Sequence, residues 1–393
     1  MLQIDHVYEF FYQELFKEFD LVFPENGIIK THGSITENDV NVFTSKEKTN
    51  KKIFFYDQEP LIRELANPYF NLINDDKPEI GEIRVLATSE YSQIFNEYLK
   101  ENNWHKLYYF FHGFAALDWY RGYYALNYNK LIVKEYKYDF ISFNRIITND
   151  RSYRIYFVSL LNEHKLLNNG LVSFNVTDNL FDDWRDEVSD PNSKLSEQAK
   201  QHAEEHLVNI DKLVIDRAEL PGSASADIPR NVSGWFYPGK EPPNVDALWH
   251  IVTETVFYYD KLHLTEKIFK PIVSKQPFML LAAPGNLEYL RSYGFKTFEG
   301  IIDESYDNIQ DHDARIESVV RQLTWYCNLS DKEKNDVIRA IEPIVMHNFH
   351  HFYNDFKHII TKEFLDNIKQ LYREINFSDN NIDYESIYYL LTY

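Results

Sequence analysis

The sequence predicts an α/β protein of two units, each a parallel sheet with helical crossovers. Three observations carry this. A chain of 393 residues is long for a single domain at ~150 residues each. Short apolar runs of strand length alternate with helical stretches, the pattern of strand–helix–strand crossovers. The alternation then restarts near Lys137, which divides the chain into a unit over 1–135, a unit over 136–375 and a tail over 376–393.

Taken in order, Ile53-Phe54-Phe55-Tyr56 is a strand that ends in the polar turn Asp57-Gln58-Glu59-Pro60. Ile83 to Ala87 is a second, ending at Thr88-Ser89, and Leu107 to Phe111 a third, followed by His112-Gly113. In the second unit Phe140-Ile141-Ser142-Phe143-Asn144 reads as a strand. Tyr153, Tyr156, Phe157, Leu160 and Leu161 then recur at helical spacing over Arg151 to Leu161. Leu171 to Phe174 is the next strand. Residues 178–245 carry the breakers Pro191, Pro221-Gly222, Pro229, Pro238-Gly239 and Pro242-Pro243, so they read as surface loops around one acidic helix, about Lys194 to Val208. Leu248 to Val252 is a strand with Thr253-Glu254 at its C-terminal end. Thr265 is a good N-cap for a helix to about Lys275, bent or shortened by Pro271. Phe278 to Ala282 is a buried strand, and Pro284-Gly285 turns into a helix that Gly294 ends from the C′ position. From Asp313 to Ile375 the pattern is helical, and the tail is partly so.

Composition removes several classes. Hydrophobic residues at 44% and charged residues at 26% are the balance of a folded protein. The single cysteine, Cys327, excludes an internal disulfide and a cysteine-based zinc site, so a reducing, cytoplasmic setting is expected. Met1 to Phe11 carries Asp5 and Glu9 without a basic segment, so no signal peptide is expected. No run approaches the ~18 apolar residues of a membrane span. A net charge of −20 disfavours DNA as a partner, since phosphate binding needs a Lys/Arg footprint.

Ligands of open α/β sheets bind beyond the carboxyl ends of strands, often at helix N-termini. Four polar clusters occupy such places: Gln58-Glu59, Asn144 to Arg154, Glu254, and Thr265-Glu266-Lys267. With Thr265 as N-cap, Lys267 falls in the first helical turn beside free N–H groups, where a plain helix prefers acids; this points to an anionic ligand. There is no GxGxxG and no P-loop. His347, His350, His351 and His358 have the i, i+4 spacing that could hold a metal, but no H-E-x-x-H is present and the aromatics between them read as core, so no metal site is expected there. Asp311-His312-Asp313 imitates a D-x-D motif but lies at a helix start, where acids cap. Trp235-Phe236-Tyr237 and Trp119-Tyr120 are candidate stacking platforms for a sugar or base.

The stretch W-H-I-V-T-E, followed after a turn by L-T-E-K-I-F-K-P-I-V-S-K-Q-P-F-M-L-L, resembles the signature of the inverting α-1,3-fucosyltransferases. K-K-I-F-F-Y-D-Q-E resembles that family's acceptor-side strand, and F-I-S-F-N…R-I-Y-F-V-S-L-L its S-N…R-x-x-F-x-x-L segment. Thr255 and His263 stand where the family has Asn and an aromatic. P-G-N-L-E-Y-L-R-S-Y-G-F-K-T-F is similar to a segment of uncharacterised viral glycosyltransferases, for which the location is the host cytoplasm. The resemblance implies a GT-B fold, two Rossmann-like domains facing across a cleft. It implies metal-independent transfer from a nucleotide-diphosphate sugar to a glycan or other hydroxyl acceptor. Glu59 falls on the general base, Arg154 and Lys267 on the cations that hold the donor pyrophosphate, and Glu266 on the carboxylate that contacts the donor sugar or ribose. Glu254 falls on the acid of the strand end, with Asn144 and Thr265 among the donor-side positions. No metal or other cofactor is implied. Two alternatives stay open: transfer to a hydroxylated base of viral DNA, and a non-catalytic nucleotide-sugar-binding module.

Overall fold

The structure is a computed structural model, and it describes residues 7, 10, 14–22, 50–57, 81–121, 136–144, 146–174, 183–208, 246–379 and 381–392. The chain forms two compact units, one of Met1–Asp118 with Asp355–Tyr393 and one of Trp119–Asn354. Each carries one parallel four-stranded sheet among the described residues, so the protein is α/β with two Rossmann-like sheets.

In the first unit β1 (Asp20–Val22), β2 (Lys51–Phe55), β3 (Ile83–Thr88) and β4 (His105–Tyr108) lie side by side in that order. Ile53, Phe54, Phe55, Val85, Leu86 and Ala87 are buried, the continuous apolar run of a strand covered on both faces. Helix α1 (Gln93–Glu101) connects β3 to β4, and α2 (Phe111–Trp119) follows β4. The strand expected to run to Phe111 stops at Tyr108, because the N–H of Phe111 turns back to the carbonyl of Tyr109 and opens the helix.

In the second unit β5 (Tyr138–Ser142) leads into α3 (Tyr153–Glu163) and β6 (Gly170–Val172). Any Cβ at Gly170 would lie 2.3 Å from the Phe140 ring, so only glycine lets β6 approach β5 here. Helices α4 (Trp184–Ser189) and α5 (Glu197–His206) precede β7 (Ala247–Thr253). Then come α6 (Glu266–Val273), β8 (Phe278–Leu281), α7 (Asn286–Ser292), α8 (His312–Cys327) and α9 (Asp331–His351). The sheet order is β6-β5-β7-β8, all parallel. From β5 the chain moves outward to β6, and from β7 to β8 on the other side. The order therefore reverses between β5 and β7, the position where ligands of such sheets bind.

A π-helical turn, Phe352–Phe356, carries α9 into α10 (Lys357–Glu374), and α11 (Tyr384–Thr392) ends the described chain. The unit boundaries differ from the expected 135 and 375. Ile360, Phe364, Ile368 and Leu371 form a buried stripe at helical spacing. Phe364 lies 5.8 Å from Tyr109 and 5.9 Å from Phe114, and the Tyr372 hydroxyl donates to the carbonyl of Leu15. These contacts put α10 with the first unit. Tyr120 in turn belongs to the second, tied through its hydroxyl to the Glu266 carbonyl and through its own carbonyl to Tyr353. Among the described residues no helix is long and apolar enough to cross a membrane.

Candidate functional site at the carboxyl ends of β5 and β7

The corner between β7 and α6 is built on a buried carboxylate. Glu254 is 0% exposed. Its Oε2 accepts from the Thr265 hydroxyl at 2.6 Å and the Thr255 N–H at 3.2 Å, and its Oε1 accepts from the Thr265 N–H at 3.1 Å. Burial pushes the Glu254 carboxyl up; Lys267 and the bonds donated by Thr265 pull it part of the way back. Thr265 is extended and caps α6 as expected, its Oγ1 accepting from the Lys267 N–H at 3.4 Å.

Lys267 is held above this cap. Its ammonium donates to Thr265 Oγ1 at 3.0 Å, Thr255 Oγ1 at 3.2 Å and Glu266 Oε1 at 3.2 Å. Its side chain is 32% exposed and that of Glu266 25%, so both reach solvent from a buried base. A positive charge thus lies at the N-terminal turn of α6, an arrangement suited to an anion. Thr255 supplies one of the oxygens that aim the ammonium.

Arg154 opens α3 and is 3% exposed. Its guanidinium donates to the carbonyls of Thr253 at 2.6 Å, Ile146 at 2.8 Å and Glu254 at 3.4 Å. It is therefore a clamp on the strand end, with its fork turned to backbone rather than to open space. Tyr153 adds a hydroxyl bond to the Glu254 carbonyl at 2.7 Å and stacks on Phe257 at 4.0 Å. Asn144, just past β5, is fully buried; its N–H donates to Ser173 Oγ at 2.8 Å and its Nδ2 to Ser142 Oγ at 3.1 Å. Its Oδ1 has no hydrogen-bond partner among the described residues. Thr253 Oγ1 donates to the Phe143 carbonyl at 2.9 Å and so ties the two strand ends together.

The structure thus gathers Glu254, Thr265, Glu266 and Lys267 directly, and joins Arg154 to them through backbone. Glu59 lies outside the described residues, as does Trp235-Phe236-Tyr237. The strand that leads to Glu59 is present, and at its end Asp57 accepts from the Tyr109 hydroxyl, while its carbonyl accepts from Ser89 Oγ at 2.6 Å. The Trp119-Tyr120 platform is corrected: Tyr120 is 0% exposed, a core ring whose hydroxyl is 3.3 Å from the Glu266 carbonyl.

Two further motifs supply structural contacts. Asp311 caps α8 through the Ala314 N–H at 2.8 Å, and Asp313 accepts from Ser196. His347 and His351 place Nε2 at 3.0 Å from the Gly294 carbonyl and 2.7 Å from the Tyr293 carbonyl, which holds the end of α7. Gly294 has φ +90° there, and a Cβ would meet the His351 ring at 2.7 Å. Sequence reading missed Arg315, 1% exposed, which binds the carbonyls of Ile309 at 2.6 Å and Phe257 at 2.8 Å and so fixes the loop after β7. No periodicity or motif marks it. Comparison with protein-family models, with curated proteins and with solved structures returned no match.

Proposed function

We propose that the chain is an inverting, metal-independent glycosyltransferase of the GT-B type, similar to the α-1,3-fucosyltransferases, that takes its sugar from a nucleotide-diphosphate donor. The observation that carries this is Lys267, a cation aimed by Thr255 and Thr265 over the first turn of α6, at the strand-order reversal. A nucleotide diphosphate gains negative charge as it leaves, and fixed N–H groups and an ammonium stabilise that charge without reorganisation. Glu266, next to Lys267 and partly exposed, is suited to accept from a sugar or ribose hydroxyl.

In a single displacement the acceptor oxygen bonds to the anomeric carbon as the bond from that carbon to the diphosphate oxygen breaks. The electron pair leaves with the diphosphate, and the acceptor proton passes to a carboxylate base, assigned here to Glu59. The test is to incubate the full chain with UDP-, GDP-, ADP- and TDP-sugars and a panel of hydroxyl acceptors, including hydroxylated DNA, and to measure nucleoside diphosphate. Acceptor-dependent release with an inverted anomeric product is expected. Release from none of the donors, or a retained product, would overturn the proposal.

A further inference from the structure

At the far end of α3 a second constellation stands apart from the corner just described. Glu163 stands nine positions after Arg154, about 14 Å along the helix. Helices α3 and α5 pack together and end together, with Asn162 Nδ2 donating to the His206 carbonyl at 2.7 Å. Two i, i+4 pairs face each other there: Ser159 and Glu163 on α3, His202 and His206 on α5.

The side chains already converge. His202 Nδ1 lies 2.8 Å from Ser159 Oγ, which also reaches the Tyr156 carbonyl at 2.7 Å. His202 Nε2 faces Glu163 Oε2 at 3.1 Å, and the His206 ring lies beside that of His202, with centroids 4.3 Å apart at 32°. With Nε2 on a metal ion, Nδ1–H would donate to Ser159 Oγ, the outer contact that metal-binding imidazoles usually have.

The geometry points to a divalent transition-metal site formed by Glu163, His202 and His206, and we propose zinc as its occupant. Ligand atoms of the three lie within 4.8 Å of one another, the one such group among the described residues. Tetrahedral zinc with bonds of about 2.1 Å needs its ligands about 3.4 Å apart, a small closure from here. Water would take the fourth position. Both helices present their C-terminal ends, whose partial negative charge favours a cation. The side chains of Glu163 and His202 are 43% and 16% exposed, so the site opens to solvent for metal entry. A bound ion would staple α3 to α5. The histidines of α9 make the contrast: His347 and His351 each have Nε2 on a backbone carbonyl, whereas His202 faces a carboxylate.

The experiment is titration of the chelator-stripped full chain with Zn²⁺ by calorimetry and with Co²⁺ by visible absorption. One ion per chain is expected, with cobalt bands of a nitrogen- and oxygen-ligated site and a rise in Tm on zinc binding. His202→Ala, His206→Ala and the conservative Glu163→Gln should each weaken zinc at least tenfold, and Ser159→Ala about tenfold through the outer contact. His347→Ala should leave zinc affinity unchanged. Absence of both heat and cobalt bands in the unaltered chain would overturn the site whatever the variants do. Undiminished zinc binding in a folded His202→Ala/His206→Ala double variant would overturn it equally.

Discussion

Glu254 and Thr265, eleven residues apart, share two hydrogen bonds: the threonine hydroxyl to Oε2 at 2.6 Å and its N–H to Oε1 at 3.1 Å. The pair joins the end of β7 to the cap of α6 and so determines where Lys267 stands. Glu254→Gln keeps the shape but turns an amide NH₂ toward donors. It is expected to cost about 1–3 kcal/mol, the penalty of a buried unmatched donor, read as a lower denaturation midpoint. A variant with the wild-type midpoint would show that the clasp is not needed.

Arg154 and Lys267 should separate, although their sequence positions suggest one role. Arg154→Ala removes charged bonds to three backbone carbonyls, two of them buried, worth ~1.5–3 kcal/mol each before relaxation, and is expected to lower stability by several kcal/mol. Lys267, one-third exposed, should leave Tm nearly unchanged when replaced by Ala while weakening diphosphate binding. Thermal melts of both variants check the split; equal Tm losses would contradict it.

Much of the fold was legible because apolar runs and caps are local signals. The strands that became β2, β3, β5, β7 and β8, the Thr265 cap and Gly294 at φ +90° all follow from residues within a few positions of each other. Which unit a helix joins is not local. The stripe of Ile360, Phe364 and Ile368 announces a helix but says nothing of whether Tyr109 or Trp249 receives it. The same holds within the site. Arg154 as a cation near the strand ends was readable, but its turn toward the Thr253 carbonyl depends on a strand about a hundred residues away. The Glu163–His202 pair likewise links helices that no motif connects.

Acid stability should report His250. Burial, with help from Lys270, pushes its imidazole down to about 3. Between about pH 6.5 and 3 the unfolded chain takes up a proton that the folded ring refuses, so stability falls as pH drops through that window and is flat above it. The effect is on the order of 4 kcal/mol across the whole range. His250→Gln keeps a donor toward Gln276 without titrating, and should flatten the acid limb relative to wild type. Denaturant midpoints at pH 7, 5 and 4 test this; parallel curves would contradict it.

If Glu59 is the base, Glu59→Gln should lower kcat by ~10²-fold or more and leave donor affinity nearly unchanged, since a base acts on the chemical step. Retention of most of kcat would move the role to another acid at the strand ends of the first unit, Asp57 or Glu90.

The most direct measurement is calorimetry of nucleoside diphosphates against the matching nucleosides, on the wild-type chain and on Lys267→Ala, with EDTA present throughout. In wild type at least one diphosphate should bind far more tightly than its nucleoside, with no need of metal. Lys267→Ala should reduce that affinity about tenfold or more, the value of a charge-assisted contact, while the nucleoside is unaffected. Equal diphosphate affinity in the two proteins, or diphosphate binding that vanishes in EDTA, would contradict an anion site at the Glu254–Thr265–Lys267 corner.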